Sequence, residues 1–362
     1  MAFKNILKSI LLICTVVLAF NTSFANGGKG KEEDKSAFIM HHIKDAHEWH
    51  IMGETSVYLP VILFDGGMKV FSSKSLYHGE VKTATNKEGE VLDFDYVANT
   101  QLGYGLFHEK IYKLNSEGNL VFHGEHPENA KPLDFSITKN TLSLFFGAAI
   151  IMLLTISAAK FYKKNGAVAP KGLAKFIEPL VVFVRDDVAK AYIHGGKHTK
   201  YLPYLLTIFF FIFINNLMGL VPIIPGGANL TGNISFTIVL ALLTLLITVF
   251  SANKNYWSHI FATPGVPKFL LLIMIPIEIV GVFTKPFALM IRLFANMAAG
   301  HIIVLALISI IFVNQSAAWG FLSVPMALFI SVLELLVAFL QAYLFAMLSA
   351  LFIGAAVEEA HH

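Results

Sequence analysis

The spacing of apolar residues changes character near residue 140. Before that point short apolar runs sit among polar residues, as in Tyr58 to Phe64, the turn signal Asp65-Gly66-Gly67, and then Lys69 to Phe71. Such runs, punctuated by Gly and Asp, predict a small strand-rich domain over residues 26–138. From Leu142 onward the runs are long: 142–159, 204–222, 232–250 and a nearly unbroken 269–357. A helix rising about 1.5 Å per residue makes the last run far too long for one crossing. The polar, Gly-containing stretch Asn314 to Gly320 divides it into 267–312 and 319–357. Each half still exceeds a perpendicular span, so it must tilt, break or lie partly along the membrane. The expected fold is an all-α polytopic membrane protein of about five net crossings, two of them long tilted C-terminal helices, with an N-terminal exported extension.

Composition agrees with this division. Of 362 residues 56% are hydrophobic and 14% charged, too little polar surface to cover a soluble globule of this size. The net charge of +3 comes with no basic groove or aromatic-basic motif, which excludes nucleic acid as a partner and leaves the lipid bilayer. Residues 1–25 carry Lys4 and Lys8, the apolar run Ile10 to Phe20, and then Ser23-Phe24-Ala25, the pattern of a secretory signal peptide. That run falls short of the roughly 20 residues needed to span. The only cysteine, Cys14, lies in this leader, so a mature chain would hold no disulfide.

Basic residues fix an expected orientation. Lys160, Lys163, Lys164, Lys171, Lys175, Arg185, Lys190, Lys197 and Lys200 lie between the first two long runs, and Lys254 and Lys268 flank a later loop. The positive-inside rule makes these loops cytoplasmic, with residues 26–138 outside, the C-terminus inside, and the cell inner membrane as the site. Between the first two runs, Leu173 to Ile193 repeats apolar residues at helical spacing with charges opposite. This is an amphipathic helix, either on the cytoplasmic surface or packed against the spans.

Between Phe269 and Val357 only Glu278, Lys285, Arg292 and Glu334 carry a formal charge. Ionisable groups at membrane depth are costly unless paired or wetted, and by default mark function. Glu278, Lys285 and Arg292 recur every seven residues and so share a helix face, which Asn296 extends. Snorkelling toward the cytoplasmic edge is the competing account of Glu278 and Lys285. His301, nine residues past Arg292, faces the opposite way, while Glu334 and Gln341 share a face of the last helix. A His and a Glu on adjacent membrane helices can relay protons. Asn215, Asn216, Ser235 and Thr237 read as polar links between helices or as the wall of a water path.

The run Lys285-Pro286-Phe287-Ala288-Leu289-Met290-Ile291-Arg292-Leu293-Phe294-Ala295-Asn296-Met297-Ala298-Ala299-Gly300-His301 resembles the signature of subunit a of the F-type ATP synthases, the ATPase A chain family. Ala191-Tyr192-Ile193-His194-Gly195, Asn216-Leu217-Met218-Gly219-Leu220-Val221-Pro222, Leu340-Gln341-Ala342-Tyr343 and Glu358-Glu359 follow in the family's order, so that the resemblance covers residues 139–362. It implies a non-catalytic proton-channel stator subunit working with a rotor ring of c subunits, peripheral stalk b subunits and the remainder of the complex. It further implies that Arg292 faces the ring, with Gln341 near it. Asn296, His301 and Glu334 would line the outer half-channel, and Glu278 the cytoplasmic exit. Some members carry an acid at the position of His301 and a histidine at that of Glu334, so this chain looks exchanged with the sum kept. Many also have an acid where Gly219 stands.

No phosphate-cradling loop and no cofactor motif is present. One rival function is an ion-coupled secondary transporter, which should show internal hydropathy repeats and paired broken helices, and no such halves are seen. The other is a membrane-anchored sensor, motivated by His41, His42, His47 and His50. Without a closed ligand shell these histidines read as a solvated helical cluster.

Overall fold

A computed structural model describes residues 45–52, 55–86, 91–124, 126–166, 168–221, 227–261, 268–314 and 316–358. The segment read as a signal peptide, and His41 and His42, lie outside them. The chain divides at Lys139/Asn140 into two compact units.

The first unit is built of strands β1 (Glu48–Met52), β2 (Thr55–Tyr58), β3 (Pro60–Phe64) and β4 (Met68–Ser72), the short helix α1 (Lys74–Tyr77), and then β5 (Glu80–Asn86), β6 (Val91–Asn99), β7 (Tyr104–Phe107), β8 (Lys110–Lys113), β9 (Val121–His123), β10 (His126–Pro127) and β11 (Leu133–Asp134). These pair as a β1-β2 ribbon, a six-stranded sheet ordered β10-β9-β5-β6-β7-β8, and a three-stranded sheet ordered β11-β3-β4. The Asp65-Gly66-Gly67 signal does make the β3–β4 hairpin, with Gly66 at φ 64°. Such an angle costs glycine nothing. The β7–β8 turn instead puts His108 and Glu109 at φ 48° and 62°, a region disfavoured for side-chain-bearing residues. The Glu109 carboxylate is held there by the Tyr77 hydroxyl, which donates to it. Two apolar clusters fill the unit: Val61, Leu63, Leu76, Tyr104, Leu106 and Ile111 in one, and Tyr96, Phe107, Tyr112, Leu120 and Phe122 among the other.

The histidine reading needs correction. His47 is buried at 2% exposure, not solvated, and His50 sits in a strand rather than a helix. His47 Nε2 meets Asp134 Oδ2 at 3.3 Å, a partner 87 residues away that local spacing could not reveal. Among the described residues no group of three His, Cys, Asp or Glu could hold a metal ion. Burial pushes the Asp134 carboxyl up, but hydrogen bonds from His47 and Ser136 outweigh it and hold the group below the ordinary carboxylate value. Its folded pKa is therefore the lower one. The charge stabilises the fold above the unfolded value of about 3.9, and the gain is lost as pH falls through the folded value. Asp134→Asn is expected to cost about 1 kcal/mol at neutral pH, a figure reduced for the partly exposed carboxylate. The cost should shrink as pH drops below about 4. Fluorescence of Trp49, buried at 4% exposure, reads it in a denaturant melt once Trp257 and Trp319 are changed to Phe. A gap constant across the acid range would show that the charge of Asp134 does not matter.

The second unit is helical: α2 (Lys139–Asn165), α3 (Leu173–Phe183) running into a π-helical segment Val184–Ala189 and a turn Lys190–Tyr192, α4 (His198–Leu220), α5 (Ile234–Ser251), α6 (Lys254–Phe261), α7 (Lys268–Val313) and, after a 3-10 turn Ala317–Trp319, α8 (Gly320–Val357). Five of these, α2, α4, α5, α7 and α8, are long and apolar enough to cross a membrane. The break between α7 and α8 falls at the polar stretch that divides the last apolar run.

The amphipathic stretch packs against the spans. Its Ile177, Val184, Val188, Ala189 and Ile193 are buried in one cluster with Leu205 and Phe209 of α4 and Phe345 and Ile353 of α8. Close approach is possible because Gly354 of α8 faces the backbone carbonyl of Tyr192 with no side chain between. On the polar side, hydrogen bonds from Arg185 and then Lys190 hold the Asp186 carboxyl well below its usual range. The last carbonyls of α8, which have no partner within the helix, are capped from outside. Val357 O accepts from Lys197 Nζ at 2.9 Å and Asn253 Nδ2 at 2.8 Å, and Ala356 O accepts from Asn253 N at 2.8 Å.

Candidate functional site

Two faces of α7 differ sharply. Leu289, Met290, Leu293 and Met297 are buried at 4% exposure or less. On the other side Ala288, Arg292, Ala295, Asn296 and Ala299 are exposed. Their spacing of four, seven, eight and eleven residues sets them in one stripe. Among the described residues Arg292 makes no hydrogen bond or ion pair. A lone charge at the middle of a membrane helix costs about 3 kcal/mol or more.

His301 lies away from that stripe. Its Nδ1 is 3.8 Å from Glu334 Oε1, with the side chains 17% and 13% exposed. Two glycines make room for the pair. A methyl on Gly300 would run into the Glu334 carboxylate, and one on Gly219 of α4 would lie 3.8 Å from His301 Nε2 and 3.3 Å from the Ala228 carbonyl. One turn before Gly219, buried Asn216 donates from Nδ2 to Ala338 O at 3.4 Å. Its Oδ1 accepts from Thr231 Oγ1 at 2.6 Å. Since Ala338 follows Glu334 by one turn of α8, Asn216, Gly219, His301 and Glu334 form a continuous polar seam where α4, α7 and α8 meet.

The remaining residues singled out in the sequence are dispersed. Gln341 is buried at 3% exposure in α8, one heptad past Glu334. Glu278 is half-buried near α6, where burial first and the Glu278 charge second push the Tyr256 phenol up. The Lys285 ammonium lies 5.8 Å from the Phe352 ring centroid, so its stem runs along α8 rather than away from the protein. No hydrogen bond or ion pair among the described residues joins Arg292 to Asn296, Gln341 or Glu278. Asn216 acts as a link between helices, and Thr237 bonds within its own helix, to Asn233 O at 3.4 Å and Ile234 O at 3.1 Å. Sequence reasoning missed Thr231, because nothing local signals that a loop hydroxyl will cap an asparagine 15 residues earlier. Gly300 was visible in the motif, but the contact it permits was not.

The sequence model of the ATP synthase A chain matches residues 141–354, which include the whole polar seam and the Arg292 stripe. The chain belongs to the ATP synthase A chain family. Among curated relatives, the ATP synthase subunit a 2 of Chlorobaculum tepidum is 45% identical over 77% of this chain and 76% of its own length. The ATP synthase subunit a of Pelodictyon phaeoclathratiforme is 50% identical, over 63% and 68%. That of Anaeromyxobacter sp. strain Fw109-5 is 38% identical over 93% and 74%, a similarity that reaches into the β-rich unit. The A chain match stops at that unit, and residues 38–135 instead match a domain of unknown function (DUF8433). Membership in the A chain family therefore bears on the helical unit, and leaves the β-rich unit to be read from its own surface.

Proposed function

We propose that the chain is the proton-channel stator subunit in the membrane sector of a rotary ATP synthase, acting without catalysis of its own. The observation that carries this reading is Arg292: a guanidinium exposed on an apolar helix with no partner among the described residues. A guanidinium in that setting calls for a carboxylate supplied by another chain. A ring of c subunits offering one acid each meets that need. An acid facing lipid stays protonated because its charged form is heavily desolvated. Opposite Arg292 the ionised form is favoured, so the proton leaves only within the stator interface.

Protons reach the ring past Asn296, His301 and Glu334 from outside and leave by Glu278 on the cytoplasmic side, with Gln341 beside the ring-facing charge. Arg292 separates the two half-channels. Each charge crossing about 100 mV releases about 2.3 kcal/mol, and several such steps drive one turn. The same reading puts residues 26–138 outside the cell inner membrane behind a cleaved signal peptide, with the C-terminus cytoplasmic. Stalk b subunits hold the chain against the ring.

The polar seam supplies a test. Glu334→Gln should lower ATP-driven acidification of inverted vesicles at least about tenfold, equivalent to about 1.4 kcal/mol. The exchange His301→Glu with Glu334→His should recover most of the loss, because it keeps one base and one acid in contact. An exchange variant that assembles normally but pumps no better than Glu334→Gln would show that the two do not act as a pair.

A further inference from the structure

The β11-β3-β4 sheet has one face in the core and one that meets no partner among the described residues. Val61 and Leu63 point inward at 0% exposure, and the partly exposed Asp134, opposite Leu63, shares their side of the sheet. On the outward face the register sets Phe64 beside Met68 and Leu133, and Ile62 beside Val70. Phe135 continues the row, its N–H donating to Ile62 O at 2.9 Å. Phe64 is 54% exposed, Met68 71%, Val70 58%, Leu133 64% and Phe135 67%. A sheet with one face in water normally alternates apolar and polar residues. Here apolar residues of three adjoining strands fall on the outward face, while Lys69 and Asp134 take the other side of β4 and β11. The Lys69 ammonium lies 5.0 Å from the Tyr104 ring. Contiguous apolar surface of this kind marks a site of contact, whereas scattered exposed side chains do not.

We propose that this face is a membrane-surface foot, seated in the headgroup and acyl boundary of the bilayer that α2 enters. The chain itself limits the alternatives. Phe135 lies four residues before Lys139, where α2 begins, and four extended residues reach at most about 14 Å. The connection is also not free to extend: Ile137 N donates to Pro60 O at 3.2 Å and Lys139 N to Ala46 O at 2.9 Å. The apolar run of α2 starts at Leu142, so the sheet is tethered within a headgroup layer's thickness or two of the hydrocarbon. Phe, Leu, Met and Val side chains are those that embed at this depth, about 5–10 Å below the headgroups. The inference requires α2 to cross a bilayer and is independent of the role of Arg292.

The test uses the full chain purified in its membrane complex, with Cys14→Ser and one new cysteine carrying an environment-sensitive fluorophore. Met68→Cys and Phe135→Cys report the foot, and Glu117→Cys reports an exposed turn elsewhere in the β-rich unit. In phosphatidylcholine liposomes containing lipid spin-labelled near the headgroup end of its chains, both foot labels should lose at least half of their emission. They should resist aqueous iodide, and the label at residue 117 should behave the opposite way. Iodide quenching at both foot positions would overturn the proposal. Protection from both quenchers would also overturn it, since that would place a protein chain, whether another subunit or a second copy, on the face.

Discussion

Arg292→Gln is expected to abolish ATP-driven acidification of inverted vesicles in a complex that still assembles. The Arg292 side chain ends in a planar guanidinium that can meet a carboxylate through a two-point fork. Opposite a carboxylate at about 4 Å and an effective dielectric near 20, it contributes about 4 kcal/mol to the ionised form. Removing that term leaves the ring acid protonated in the interface, so at least a hundredfold loss of pumping is expected. Arg292→Lys should recover little, because a compact ammonium in a poorly solvated place is free to give up its proton and lacks the planar fork. Passive proton conductance through the membrane sector should rise in Arg292→Gln if, as proposed, that charge separates the two half-channels. Pumping near the normal rate, with a normal amount of variant chain in the membrane, would sink the stator reading.

The second large effect is structural. Gly354→Val, and to a lesser degree Gly354→Ala, should prevent the chain from accumulating. A Cβ there would lie inside the van der Waals shell of the Tyr192 carbonyl, which is backbone and cannot swing aside. The helix pair would have to separate, uncovering Ile353, Val188, Ala189 and Ile193, which are buried at 1% exposure or less. Overpacking of this kind costs about 3 kcal/mol, which for a unit of this size lowers the melting temperature by roughly 10 °C. Gly281→Ala makes the same chemical change on α7 where a Cβ would meet nothing within 4 Å. It should be neutral or slightly stabilising, because Ala favours helix over Gly by up to about 1 kcal/mol. Equal behaviour of the two alanine variants in detergent melts would remove the packing argument.

Much of the helical unit was legible because a bilayer imposes coarse rules. An apolar run of about 20 residues reads most simply as a span, so 204–222 and 232–250 anticipate α4 and α5 to within six residues. The Asn314 to Gly320 break was readable for the same reason. Arg292 stood out through its cost, and its opposition to His301 through helical arithmetic alone. Other features arise from residues distant in sequence. Nothing near Tyr192 announces that Gly354 will meet it, and the Thr231–Asn216 hydrogen bond joins a loop to a helix interior. His47 was misjudged because a surface histidine and one seated on Asp134 have the same local sequence. In the β-rich unit the Asp65-Gly66-Gly67 turn was clear. The unmet face was not, since it appears only when β11 is set beside β3, 69 residues apart by the Leu133–Phe64 register.

If a ring turns past α7 as proposed, the exposed stripe has a mechanical consequence. Beside Arg292 and Asn296 the stripe is made of Ala288, Ala295 and Ala299, whose side chains have no torsion angle to readjust. Longer side chains would have to re-sort their rotamers as each ring helix went by, and every re-sorting would dissipate work. Methyl groups present the same contour at every angle, so under the proposed function drag along most of the stripe would be low. On that reading the torque per step would be set mainly by the meeting of the Arg292 guanidinium with one ring carboxylate.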